Sequence, residues 1–90
     1  MNDERRKQIA AVREALDALK TQAECIRDDL EEIKQAEQDA FDNLPESLQQ
    51  AERGEAAQAA IDHLETAYDD LEQLMCVLDD VNGALEGAAE

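Results

Sequence analysis

Residues 41–54 read Phe41-Asp42-Asn43-Leu44-Pro45-Glu46-Ser47-Leu48-Gln49-Gln50-Ala51-Glu52-Arg53-Gly54, and they separate two stretches that obey the same helical rule. Pro45 biases Leu44 out of the helical region, and Asn43 is a capping residue type with Glu46 three positions on. A first long helix is therefore expected over 3–41. A structureless connection of about 13 residues is uncommon in a small domain, so a short helix is expected over 45–53, ended or kinked at Gly54. A second long helix is expected over 55–86, where Asn82, Gly83 and Gly87 weaken and fray the last turns.

Upstream of the break, Ile9, Val12, Leu16, Leu19, Ala23, Ile26, Leu30, Ile33, Glu37 and Ala40 follow one another at alternating steps of three and four. Downstream, Ala57, Ala60, Leu64, Ala67, Leu71, Leu74, Leu78, Val81, Leu85 and Ala88 do the same. Such spacing marks the inner rows of a coiled coil. Aromatic residues make up 2% of the chain and glycines number three, which leaves little material for strands. The expected fold is all-α: one domain over 1–90, an antiparallel two-helix coiled-coil hairpin whose connector, 42–54, holds the short helix.

Folding the hairpin at the break sets residues whose numbers sum to 97 opposite one another. Ala23 then meets Leu74 and Leu30 meets Ala67, so small residues oppose large ones. Arg13, Lys20, Arg27 and Lys34 fall beside Asn82, Met75, Tyr68 and Ile61. Their methylenes would cover apolar side chains, and Arg27 over Tyr68 would form a cation–π contact of about 0.5–1 kcal/mol. A single seam leaves Phe41, Ile61, Tyr68, Met75 and Val77 partly uncovered. Phe41, Ile61, Tyr68 and Met75 are the expected oligomer interface of a homodimer that closes a four-helix bundle.

The chain carries 24 acidic and eight basic residues, a net charge of −16. No lysine or arginine follows Arg53, whereas ten carboxylates lie between Glu55 and Glu90. Such a field disfavours direct binding to nucleic acid or to anionic lipid and favours basic protein surfaces. The longest apolar run, Leu74–Leu78, is far short of the roughly 20 residues of a membrane span, and no apolar secretion stretch opens the sequence. A soluble protein of the cytoplasm is expected, with Cys25 and Cys76 as free thiols.

Residues that could do chemistry are sparse. His63 is the only histidine and Ser47 the only serine, and the register brings no nucleophile, base and acid together. The residue three before His63 is Ala60, which removes the Glu-x-x-His pairing of di-iron bundles. The acidic doublets Asp28-Asp29, Glu31-Glu32, Asp69-Asp70 and Asp79-Asp80 point to different helix faces, so they read as solvated surface rather than metal ligands. No catalytic residue, cofactor or metal is expected.

The run Phe41-Asp42-Asn43-Leu44-Pro45-Glu46-Ser47-Leu48, followed by Glu52-Arg53-Gly54-Glu55 and an acidic heptad helix, resembles small acidic helical proteins of tailed phages and prophages. Export-type hairpins with Trp-x-Gly in the turn are a different pattern, since this chain has no tryptophan. The resemblance implies a phage setting in a host cytoplasm and carries over no activity. By analogy with small acidic phage proteins that occupy nucleic-acid grooves, the expected function is inhibition of a host nucleic-acid-processing or defence protein. Asp62, Glu65, Asp69, Glu72, Asp79 and Asp80 would be the partner-binding acidic face, standing in for phosphates as a DNA mimic with a counter-defence role. The alternative is a dimerising coiled-coil scaffold or regulatory module whose charge serves solubility.

Overall fold

A computed structural model describes residues 1–90 as three helices without a strand: α1 (Asp3–Asp42), α2 (Glu46–Gln49) and α3 (Glu52–Ala89). The two long helices pack against each other along an antiparallel hairpin with Cα extents of 68 × 15 × 12 Å. The all-α hairpin expected from the heptads is the fold observed. Asn2 opens α1 as its N-cap, its Oδ1 accepting from the Arg5 backbone N–H at 2.9 Å. Asp3 and Glu4 in the first turn complement the positive end of the helix dipole.

The turn is built differently from expectation. Asn43 does not start the short helix; it closes α1, with φ −84° and ψ −6°, its N–H donating to the Asp39 carbonyl. Pro45 sits at the N-cap of α2, which is one turn long rather than the nine residues expected. Gln49 ties this turn to the end of α1. Its Nε2 donates to the carbonyl oxygens of Phe41 and Leu44, both at 3.1 Å, and the Phe41 carbonyl also accepts from the Leu44 backbone N–H at 3.1 Å.

Gly54 neither ends nor kinks a helix. It is buried in the first turn of α3, and a methyl group placed there would collide with the backbone of Gln49. The lack of a side chain lets α3 begin at Glu52 with its first turn pressed against α2. At the other end α3 runs unbroken through Gly83 and Gly87 to Ala89, where fraying was expected. Interhelical bonds explain this: Asn82 Oδ1 accepts from Arg13 Nε at 2.6 Å, Asn82 Nδ2 donates to Asp17 Oδ1 at 3.0 Å, and Arg6 Nε donates to the Ala89 carbonyl at 3.0 Å.

The numbers of these side-chain pairs add to 95 or 99, either side of the expected 97, so the hairpin register holds. The rotation of the helices does not. On α1, Ile9, Leu16, Ala23 and Leu30 turn inward together with the basic row Arg13, Lys20, Arg27 and Lys34. On α3, Leu64, Leu71, Leu78 and Leu85 turn inward together with Ile61, Tyr68, Met75 and Asn82. The second half of each expected seam faces out: Val12, Leu19, Ile26 and Ile33 are 46–53% exposed, and Leu74 and Val81 are each 42% exposed.

The physical reason is bulk. On α3 the chosen pair of rows includes Ile61, Tyr68 and Met75, whereas the rejected row opens with Ala60 and Ala67. Burying the larger side chains removes more apolar area from water, at roughly 25 cal/mol per Å². The same rotation lays the basic stems of α1 across the seam, within reach of acids on α3.

Substituting Gly54→Ala should cost about 1–3 kcal/mol, because the added methyl meets backbone rather than a movable side chain. Gly83→Ala, which has open space around it, should add about 0.5–1 kcal/mol through helix propensity. Urea titrations followed by circular dichroism measure both.

Candidate functional site

The basic row of α1 organises one broad side of the hairpin. Three of its four members bond the acid one helical turn beyond the α3 residue they fall beside. Arg13 faces Asn82 and reaches Glu86 at 3.6 Å; Lys20 falls beside Met75 and reaches Asp79 at 2.8 Å; Arg27 falls beside Tyr68 and reaches Glu72 at 3.2 Å. The series predicts Lys34 on Glu65, but Lys34 instead pairs with Glu31 on its own helix at 3.3 Å and places its Nζ 5.7 Å from the centroid of the Tyr68 ring. The cation over Tyr68 is therefore Lys34, not Arg27, whose guanidinium is drawn to Asp28 at 3.1 Å and to Glu72.

These partners perturb three groups. The hydrogen bond to Asp79, then its negative charge, raise the Lys20 ammonium above its ordinary value. The hydrogen bond to Asp28 raises Arg27 further, keeping it charged throughout. Tyr68 is raised first by removal from water and then by the Glu72 carboxylate. The Lys20 and Tyr68 shifts reflect contacts across the seam, the Arg27 shift chiefly its neighbour Asp28, and none places a proton donor or acceptor near neutral pH.

The six acids expected to form a partner face divide into two sets. Glu72 and Asp79 are engaged in the interhelical ion pairs, where they hold the hairpin closed. Asp62, Glu65, Asp69 and Asp80 are exposed and have no basic partner within 4.0 Å; Asp62 accepts only from Gln58 Nε2, at 3.1 Å. Glu65 is the one member of its heptad row, Glu65, Glu72, Asp79 and Glu86, that the basic residues leave free.

The four residues expected at an oligomer interface lie in the hairpin's own seam. Ile61 and Met75 are each 5% exposed, and Phe41 and Tyr68 are half-buried. Ile61 and Met75 are thereby covered by the hairpin itself. An accessible apolar surface lies on the opposite broad side, made of rows that the heptad pattern placed in the seam, because three adjacent rows of α3 are apolar. It runs along Val12, Leu19, Ile26 and Ile33 beside Leu74 and Val81. Near the turn it ends in an open notch of about 400 Å³ in which Glu37 and Arg53 border Ala40, Phe41, Leu44 and Ala57.

Cys25 and Cys76 are free and exposed, and His63 is exposed. No three His, Cys, Asp or Glu side chains gather as a metal site, and no helix is long and apolar enough to cross a membrane. Comparison with family models, curated proteins and solved structures gives no match. The functional reading therefore rests on the two broad sides and on the charge of this chain.

Tyr68 is the only tyrosine and there is no tryptophan, so phenolate absorbance reports it alone. Its titration should lie above the value of the urea-unfolded chain, and Glu72→Gln should lower it. The protonated phenol is favoured in the fold. This contribution is complete below the unfolded tyrosine value of about 10 and is lost as pH rises through the folded one. Lys20, also raised, acts in the same direction, so the melting temperature should fall through that alkaline window.

Proposed function

We propose that this protein is a non-enzymatic acidic rod that binds a basic groove on a nucleic-acid-processing or defence protein and blocks it by standing in for the phosphate track. The observation that carries the reading is the distribution of unpaired charge. Six of the 24 carboxylates (Asp3, Asp28, Glu31, Glu72, Asp79 and Glu86) make the chain's ion pairs, which leaves 18 with no basic partner within 4.0 Å. Counted around the whole rod over 68 Å, they amount to about one per 3.8 Å, roughly half the density of a DNA duplex with both strands counted, about one phosphate per 1.7 Å.

The basic residues are disposed to leave that surface undiluted. Arg13, Lys20 and Arg27 are held in ion pairs across the seam, Lys34 pairs with Glu31 on its own helix, and the unpaired cations Arg5, Lys7 and Arg53 stand near the two tips of the rod. Asp62, Glu65, Asp69 and Asp80 are the acids of α3 that we assign to partner contact. The phage resemblance supplies a setting in which the partner belongs to a bacterial host and both proteins meet in its cytoplasm.

The exposed apolar side favours a second reading, a dimerising scaffold or regulatory module in which the charge serves solubility. The two readings separate cleanly by mutation. On the inhibitor reading, the chain captures a basic nuclease, helicase or defence protein from host extract, excess double-stranded DNA displaces it, and binding weakens steeply with salt. Combined Asp62→Asn, Glu65→Gln and Asp69→Asn should abolish capture while leaving the helix signal unchanged or slightly more stable, since like charges are removed. Capture that survives both the competitor DNA and the neutral variant overturns the reading.

A further inference from the structure

We infer that the apolar side of the hairpin docks a second copy of this chain, antiparallel to the first, and so closes a four-helix bundle through a face other than the Ile61, Tyr68 and Met75 row. The proposal rests on the same exposed apolar side as the second reading above and is independent of the inhibitor reading. Its first support is placement. In both helices the turned-out apolar row comes one residue before a buried row: Val12 before Arg13 on α1, and Leu74 before Met75 on α3. Because the helices run antiparallel, this offset puts both rows on the same broad side, opposite the ion pairs. The result is one continuous face and not two scattered stripes.

Size and charge fit a protein interface. The hairpin presents a footprint of 68 by 15 Å, about 1,000 Å², where a standard interface uses about 800 Å² per partner. Of the 24 carboxylates, only Asp29 and Asp70 fall on the turned-out rows or on the next row outward on either helix. A chain so acidic has kept acids off this one side, as the centre of an interface requires.

Self-complementarity identifies the occupant. Stack α1 on α1 of a second copy in the opposite direction, and Leu19 meets Ile26 while Val12 meets Ile33, pairs whose numbers add to 45. Stack α3 on α3 likewise, and the small Ala67 meets Val81 while Leu74 meets itself. The centre of the first set lies between residues 22 and 23, and that of the second at Leu74. In the hairpin register these two points lie at the same height, so a single two-fold axis satisfies both helix pairs.

Charge then sets the orientation. A dimer with the hairpins side by side in the same direction would lay Asp29 of each copy against Asp70 of the other and gather four carboxylates at one level, where like charges resist ionisation. The antiparallel dimer places Asp29 opposite Ala15 and Asp70 opposite Val77, which separates them.

Sedimentation at micromolar concentration should give a species of about 20 kDa, twice the 10.0 kDa chain. Ile26→Glu, half-exposed in the hairpin, should return it to the monomer mass with its helix signal retained. In a Cys25→Ser, Cys76→Ser background, Gln22→Cys lies beside the two-fold axis and should form a disulfide-linked dimer on mild oxidation. A wild-type chain that remains monomeric overturns the proposal, as does a dimer unaffected by Ile26→Glu. Cross-linking of the Gln22→Cys, Val77→Cys double variant between chains, with none from Gln22→Cys alone, overturns the antiparallel orientation.

Discussion

A helix can bury only two adjacent heptad rows against a single neighbour, and α3 carries three that are apolar. The rest of the structure follows from which two are chosen. Burying the row with Ile61, Tyr68 and Met75 beside the leucine row rotates α1 so that its basic side chains cross the seam instead of pointing away from it. That rotation creates the ion pairs to Glu72, Asp79 and Glu86, leaves Glu65 free, and turns Val12, Leu19, Ile26 and Ile33 outward. One choice of rows thus divides the molecule into a latched polar side, an open apolar side and acidic outer edges.

Helical class, hairpin topology and register were legible in the sequence because each depends on a periodicity summed over many residues, which single exceptions do not disturb. The boundaries of the turn were not. Asn43 and Gly54 were read by their usual local roles, as a helix start and a helix stop. Tertiary contacts gave them others: Asn43 closes α1, and Gly54 makes room for the backbone of Gln49. The part played by Gln49 had no local signal at all, since its amide bonds carbonyls five and eight residues away.

The rotation of the two helices was not legible for a related reason. Step patterns of three and four fit the rows of Val12 and Arg13 equally well once long basic stems are allowed to act as apolar cover, and the pattern contains no term for that cover. The carboxylates of α3 could be counted from the sequence but not sorted. Distinguishing Glu72 and Asp79, held in ion pairs, from Asp62, Glu65, Asp69 and Asp80, which are free, required knowing which cation reaches across the seam.

The polar bonds across the hairpin form a ladder in sequence separation. Gln49 bonds a carbonyl eight residues away, Arg27 reaches 45 residues to Glu72, Lys20 reaches 59 to Asp79, and Arg6 reaches 83 to Ala89. Each rung, once made, shortens the loop that the next must close, so its entropic cost falls as the structure grows outward from the turn. The same order governs mechanical opening. Force applied at the two chain ends acts on the Arg6 rung alone, then on the next, and peels the helices apart like a zipper, whereas the turn around Gly54 is strained last.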